Sequence, residues 1–207
     1  MMIKLPAPPA ALSRWLLTAA ALLVAAAIVL PLWGMTLVST QYPEGLRMVV
    51  YANHITGDIN EINALNRFIG MHLITDDFFS ELRWLPLLFG GTALLSLVAA
   101  IINRFWATLV PLATMTGIAV YGLTSMRHRL WQFGHELDPT APMDLPPFTP
   151  PMIGGHQIAQ FASYSYFTWG TVLPLIAAAF VAWALWLQRP TRAPRAVPAR
   201  AASAFAA

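Results

Sequence analysis

The sequence predicts an all-α integral membrane protein: four transmembrane helices, both termini cytoplasmic, and two long extracytoplasmic loops forming a small cap with a short surface helix. Three observations predict it. First, the 207-residue chain is 57% hydrophobic and 10% charged, with mean hydropathy +0.60, whereas an average soluble domain carries roughly 25% charged residues. Second, four apolar runs without a charge, 15–38, 84–102, 105–125 and 167–187, approach the roughly 20 residues that cross a hydrocarbon core. Third, the charges are sorted. All nine acids fall within residues 39–83 and 126–166, while the other three segments between and outside the runs hold only Lys4, Arg14, Arg104, Arg189, Arg192, Arg195 and Arg200.

Each element follows in chain order. Residues 1–14 form a basic cytoplasmic N-terminus. The run 15–38 is longer than the apolar region of a signal peptide and no A-x-A site follows it, so it reads as a retained anchor. Backbone in lipid must satisfy its own hydrogen bonds, which makes the four runs helices. Pro31, Pro86, Pro111 and Pro174 fall in or near them, and each removes a backbone donor and favours a kink. Gly90, Gly91, Ala93, Ser96, Ala113 and Gly117 are small enough for helices to approach closely. The link Asn103-Arg104 is so short that the second and third spans form an antiparallel hairpin. Cytoplasmic loops carry the excess of Lys and Arg, so both termini are placed inside a bacterial cytoplasmic membrane. Arg83, Arg127 and Arg129, at the outer ends of helices, are read as interface or loop residues. The Ala/Pro/Arg-rich tail, 188–207, cannot bury a core and reads as disordered. Its arginines either anchor the topology or touch anionic headgroups.

The first outer loop, 39–83, contains a turn at Tyr42-Pro43-Glu44-Gly45 and a short β-prone run, Met48-Val49-Val50-Tyr51. A surface helix is expected over about 58–69. Asp58 is its cap, Glu61 completes a capping box, and Gly70 ends it. Ile59, Ile62, Leu65, Phe68 and Ile69 form its apolar stripe. Asn60, Asn63 and Asn66 recur every third residue on another face. They either bond the neighbouring loop and solvent or, with Glu61, form a partner-docking face.

The second outer loop, 126–166, begins with a continuation of the third span through Phe133, ended by Gly134. Six prolines between Pro139 and Pro151 then make a stiff, extended strap. Gly154 and Gly155 break it, and a short helix from His156 to about Ser163 follows. Trp131, Phe133, Phe148, Tyr164, Tyr166, Phe167 and Trp169 supply an outer aromatic belt.

The absence of cysteine excludes disulfides, thiolate-held iron–sulfur clusters, c-type haem attachment and a Cys nucleophile. No P-loop, dinucleotide fingerprint, H-E-x-x-H or G-x-S-x-G is present. The spans hold no ionisable residue to mark an ion or proton path. An enzyme is therefore not expected, with an outer-face His/Asp enzyme as the alternative, and no nucleic-acid partner is expected. All five histidines (54, 72, 128, 135, 156) and the methionines 48, 71, 126, 143 and 152 belong to the outer side. Imidazole with thioether suits copper, and imidazole with carboxylate suits zinc or other divalent ions. Met71, His72, His135 and Asp138, then His54 and His156, are the candidate metal ligands, with copper the candidate cofactor. The alternative is an ordinary interfacial hydrogen bond for each histidine, since no H-x-H or H-x-x-x-H spacing occurs.

The stretches QYPEGL (41–46), GDINEINALNRFIGM (57–71), GHELDPTAPM (134–143) and PPFTPPMIGGHQIAQF resemble a family of small, mostly uncharacterised bacterial membrane proteins. That family is associated with nitrous-oxide-reduction gene clusters, beside a lipoprotein copper chaperone and c-type cytochromes. The resemblance is confined to the outer loops and departs from the family at Arg67, where an aromatic residue is common. It implies an accessory protein whose cap supports copper handling or the assembly of an exported respiratory redox enzyme. Copper chaperone, cytochrome or redox enzyme would be its partners beside the lipid bilayer. The alternative is a non-catalytic structural auxiliary subunit of a larger membrane complex.

Overall fold

The computed structural model describes residues 10–75, 79–143, 146–158 and 161–189. The predicted segment 1–9, the acids Asp76, Asp77 and Asp144, and the basic tail from residue 190 lie outside the described residues. Helix α1 (Ala10–Ala26) passes through turns at residues 27–29 into strand β1 (Trp33–Val38). The expected first span, 15–38, is therefore two elements, and its helix is only 17 residues long. Pro31 explains the break: it offers no N–H to continue the helix and disfavours helical geometry in the residue before it. A short apolar run fits a buried strand as well as a helix, and here Trp-Gly-Met-Thr-Leu-Val is the strand.

The fold is accordingly not all-α. β1, β2 (Leu46–Val50), β3 (Ile55–Gly57), β4 (Gly154–Ile158) and β5 (Phe161–Phe167) form one antiparallel sheet in the order β3-β2-β1-β5-β4. The helix expected from His156 to Ser163 is instead the β4–β5 hairpin, with His156 opposite Ser163. Phe161-Ala-Ser-Tyr-Ser-Tyr-Phe alternates between the two sheet faces: Ser163 and Ser165 are buried, Tyr164 and Tyr166 exposed. That is a strand period with strand-forming aromatics.

The remaining helices are α2 (Ile59–Ile69), α3 (Leu85–Ile102), α4 (Phe105–His135) and α5 (Trp169–Leu187). α3, α4 and α5 are long and apolar enough to cross a membrane. α1 packs on α5 and α3, and α4 closes the ring against both. The bundle interior is built from Leu17, Ala20, Val24, Ala93, Ala99, Ala100, Ala107, Met115, Ala177, Val181 and Ala184. Alanines let the axes come close. Gly90, Gly91 and Gly117, expected at such approaches, face open space instead.

Polar side chains tie the bundle at the end opposite the sheet. Ser13 Oγ donates to Asn103 Oδ1 at 2.6 Å, Gln188 Nε2 donates to the same oxygen at 2.9 Å, and Thr108 Oγ1 donates to Gln188 Oε1 at 2.8 Å. Asn103 takes the left-handed conformation (φ 49°, ψ 49°) that ends α3 and reverses the chain into α4. Arg14, Arg104 and Arg189 belong to this end. The described acids Glu44, Asp58, Glu61, Glu81, Glu136 and Asp138 belong to the sheet end. Exposed tryptophans mark both levels: Trp15, Trp106 and Trp186 at one, Trp84 and Trp169 at the other.

The α1/α5 pair continues outward as the β1/β5 pair. At the junction Thr168 N–H donates to Leu32 O (3.1 Å), Gly170 N–H to Pro31 O (2.8 Å), and Thr171 Oγ1 to Leu32 O (2.8 Å). The Thr168 hydroxyl also bonds Pro31 O. The first N–H groups of a helix lack intrahelical partners, and here that of Gly170 in α5 finds one in Pro31 O, so these bonds couple the sheet to α5.

Candidate functional site

The cap is a two-layer structure. Trp33, Leu46 and Met48 on one sheet face form a core with Ile62 of α2, Ile74 after it, and Phe133 near the end of α4. The proline-rich chain crosses this layer: Asp138 N–H donates to Gly70 O (2.8 Å), Met143 N–H to Phe68 O (3.3 Å), Phe148 N–H to Gly134 O (3.0 Å), and Trp33 Nε1–H to Met152 O (2.8 Å). A Cβ at Gly134 would stand 1.8 Å from the Phe148 carbonyl oxygen, so only glycine lets the strap lie against α4.

Within α2 the asparagines divide. Asn63 brackets the backbone of Ile74, donating from Nδ2 to its carbonyl (3.0 Å) and accepting its N–H at Oδ1 (2.7 Å). Buried Asn66 donates to His72 O at 3.1 Å. Two of the three thus hold segment 72–74 to the helix, and Asn60 is exposed beside exposed Glu61. The expected capping box does not form. Asp58 makes no side-chain cap bond; its Oδ2 accepts the Arg47 N–H at 2.8 Å, tying α2 to β2 instead. Gly70 closes the helix in the left-handed conformation (φ 77°).

The candidate metal ligands are spread over the cap. His72 Nε2 bonds Glu136 Oε2 at 3.0 Å, an exposed pair joining the two loops. Met71 is half-buried against the cap core. His54 stacks on Tyr51 with ring centroids 4.5 Å apart, and His156 is exposed on β4. His135, Asp138 and Met143 line one cleft of about 270 Å³. His135 Nδ1 lies 3.1 Å from the Trp131 carbonyl oxygen. A carbonyl only accepts, so Nδ1 carries a proton, and in the neutral ring Nε2 keeps its lone pair. Hydrogen bonds from the Thr140 hydroxyl and backbone N–H hold the Asp138 carboxyl below its ordinary value, and both use Oδ1. Among the described residues no three His, Asp or Glu side chains are grouped to hold a metal ion.

Sequence reasoning missed two features. Glu81, in the 3-10 turn Ser80–Arg83, accepts at Oε1 from Arg129 Nη2 (2.8 Å), Arg129 Nε (3.1 Å) and Ser125 Oγ (3.0 Å). Burial pushes this carboxyl up, but its backbone bond, the Arg129 and Ser125 side chains and the Arg129 charge outweigh burial and leave it below its ordinary value. The second feature is the bare face of the sheet. Tyr166 lies over Gly34 and Tyr164 over Gly155, each close enough that a Cβ on the glycine would meet the ring at 2.9 Å. Arg47 is exposed on the adjoining strand, opposite Thr36, which is opposite Tyr164. The alternation of serines and tyrosines in β5 was the signal that could have revealed this face.

No protein-family model, curated protein or solved structure matches the chain.

Proposed function

We propose that this chain is a membrane-anchored, non-catalytic auxiliary protein whose cap docks an extracytoplasmic partner within a larger complex. The bare sheet face carries the reading. Tyrosine and arginine are enriched at protein interfaces, and here two exposed tyrosines and Arg47 share a face that no other layer covers among the described residues. The charge placement supports an orientation with both termini in the cytoplasm and the cap outside. That no three His, Asp or Glu side chains are grouped among the described residues supports this over a resident metal site. The loop resemblance suggests that the partner is a copper-handling or electron-transfer protein, with the metal held by that partner.

A second reading rests on the cleft lined by His135, Asp138 and Met143: it offers an imidazole lone pair and a thioether for brief contact with copper during transfer. Gentle solubilisation from native membranes separates the readings. Docking predicts one partner retained at fixed stoichiometry, lost in Tyr164→Asp/Tyr166→Asp and kept in His135→Ala. A clean monomer from wild type, with no adduct after crosslinking, contradicts docking. Loss of the partner in His135→Ala alone favours the transfer reading.

A further inference from the structure

The outer part of α4 carries a row of exposed side chains, Arg127, His128 and Trp131, that leads up to His135 at the cap cleft. Their rings stack, with His128 to Trp131 at 6.4 Å and 9° and Trp131 to His135 at 4.6 Å and 16°. Below them on the same helix, Val120, Tyr121 and Leu123 are exposed. The row is thus the continuation of a lipid-facing surface.

Its depth follows from the hairpin. α3 and α4 are joined only by Asn103-Arg104, so Trp84 at the outer end of α3 stands level with about Leu123 of α4. At about 1.5 Å per residue, Arg127 and His128 lie roughly 6–8 Å farther out. Headgroups occupy roughly 5–7 Å beyond each edge of the hydrocarbon. The clamp from Glu81 to Ser125 and Arg129 supports this level, since those residues flank Arg127 along the helix. Arg129 is neutralised by Glu81. The Arg127 side chain has no hydrogen bond or ion pair among the described residues.

We propose that Arg127, His128 and Trp131 form an outer-leaflet site for the phosphate of an anionic phospholipid. The Arg127 guanidinium binds the phosphate oxygens, His128 offers a second donor, and Trp131 lies against the glycerol region. The inference rests on α4 crossing the bilayer and is independent of the docking face.

The test is native mass spectrometry of the full chain exchanged into phosphatidylglycerol or phosphatidylcholine. Wild type should retain phosphatidylglycerol preferentially. Arg127→Gln/His128→Gln should reduce that retention roughly five-fold or more, Arg127→Lys should keep most of it, and Arg104→Gln, at the opposite end, should leave the outer site intact. These positions are exposed, and unchanged helicity by circular dichroism confirms folding. Equal retention of the two lipids, or phosphatidylglycerol retention unaffected by Arg127→Gln/His128→Gln, overturns the site. So does inorganic phosphate competing at millimolar concentration, which marks a plain anion site.

Discussion

At the residue scale, three asparagines with one spacing do different work. Asn63 exchanges two hydrogen bonds with Ile74, whereas Asn60 is exposed. A net contribution of about 1 kcal/mol per bond predicts that Asn63→Ala loses about 1–2 kcal/mol of stability. Asn60→Ala should stay within about 0.5 kcal/mol, as surface substitutions do. Chemical unfolding in detergent measures both. Equal losses would mean that Asn63 does not hold the 72–74 segment. The period placed these residues on one helix face but did not reveal which carbonyl each would meet, because the partner backbone arrives from a following irregular segment. The same limit applies to Asp58: its type and position suit a cap, yet its carboxylate serves the Arg47 N–H across the β2–α2 connection.

At the element scale, the junction between the long apolar helices and the cap is set by few contacts. The clamp of Glu81 on Arg129 and Ser125 fixes the entry to α3 against α4. Because the folded Glu81 carboxyl titrates below its ordinary value, its stabilisation is present above the ordinary carboxylate range and is lost as pH falls through the folded value. The stability difference between wild type and Glu81→Gln should therefore be constant near neutral pH and shrink in acid below that range. A difference that grew on acidification would refute the clamp. The pair His72–Glu136 is exposed at both ends, and such pairs contribute about 0–1 kcal/mol, so the strap is held chiefly by its backbone bonds. Boundaries legible in the sequence were those with one dominant cause. Asn103-Arg104 is too short for anything but a reversal, and Gly70 supplies a left-handed stop. The β1 strand was not legible, since an apolar run beside a helical run reads as more helix until Pro31 is weighed. The β4–β5 hairpin was hidden by glycines and a histidine that suggested a break and a new helix.

At the scale of the whole molecule, four apolar helices, three of them long and apolar enough to cross a membrane, form a bundle with exposed tryptophans at two levels and a cap at one end. The cap itself changed character. Two loops with a surface helix became a five-stranded sheet continuous with α1 and α5, half covered by α2 and the strap. Long-range strand pairing between residues 33–38 and 161–167 leaves little local signal for the sheet as a whole; only the serine–tyrosine alternation of β5 pointed to the exposed tyrosine face. The predicted metal ligands all belong to the sheet end: His135 and Asp138 share one cleft beside the Met71-His72 segment, while His54 and His156 lie elsewhere on the sheet.

The central claim is that the tyrosine face meets a protein. The chain has no cysteine, so Tyr164→Cys provides a single thiol for a photoactivated probe in native membranes. Docking predicts one discrete adduct from position 164, abolished by adding Arg47→Glu, and none from Ala64→Cys on the exposed side of α2. No adduct at position 164, or the same adducts at both positions, would contradict the account.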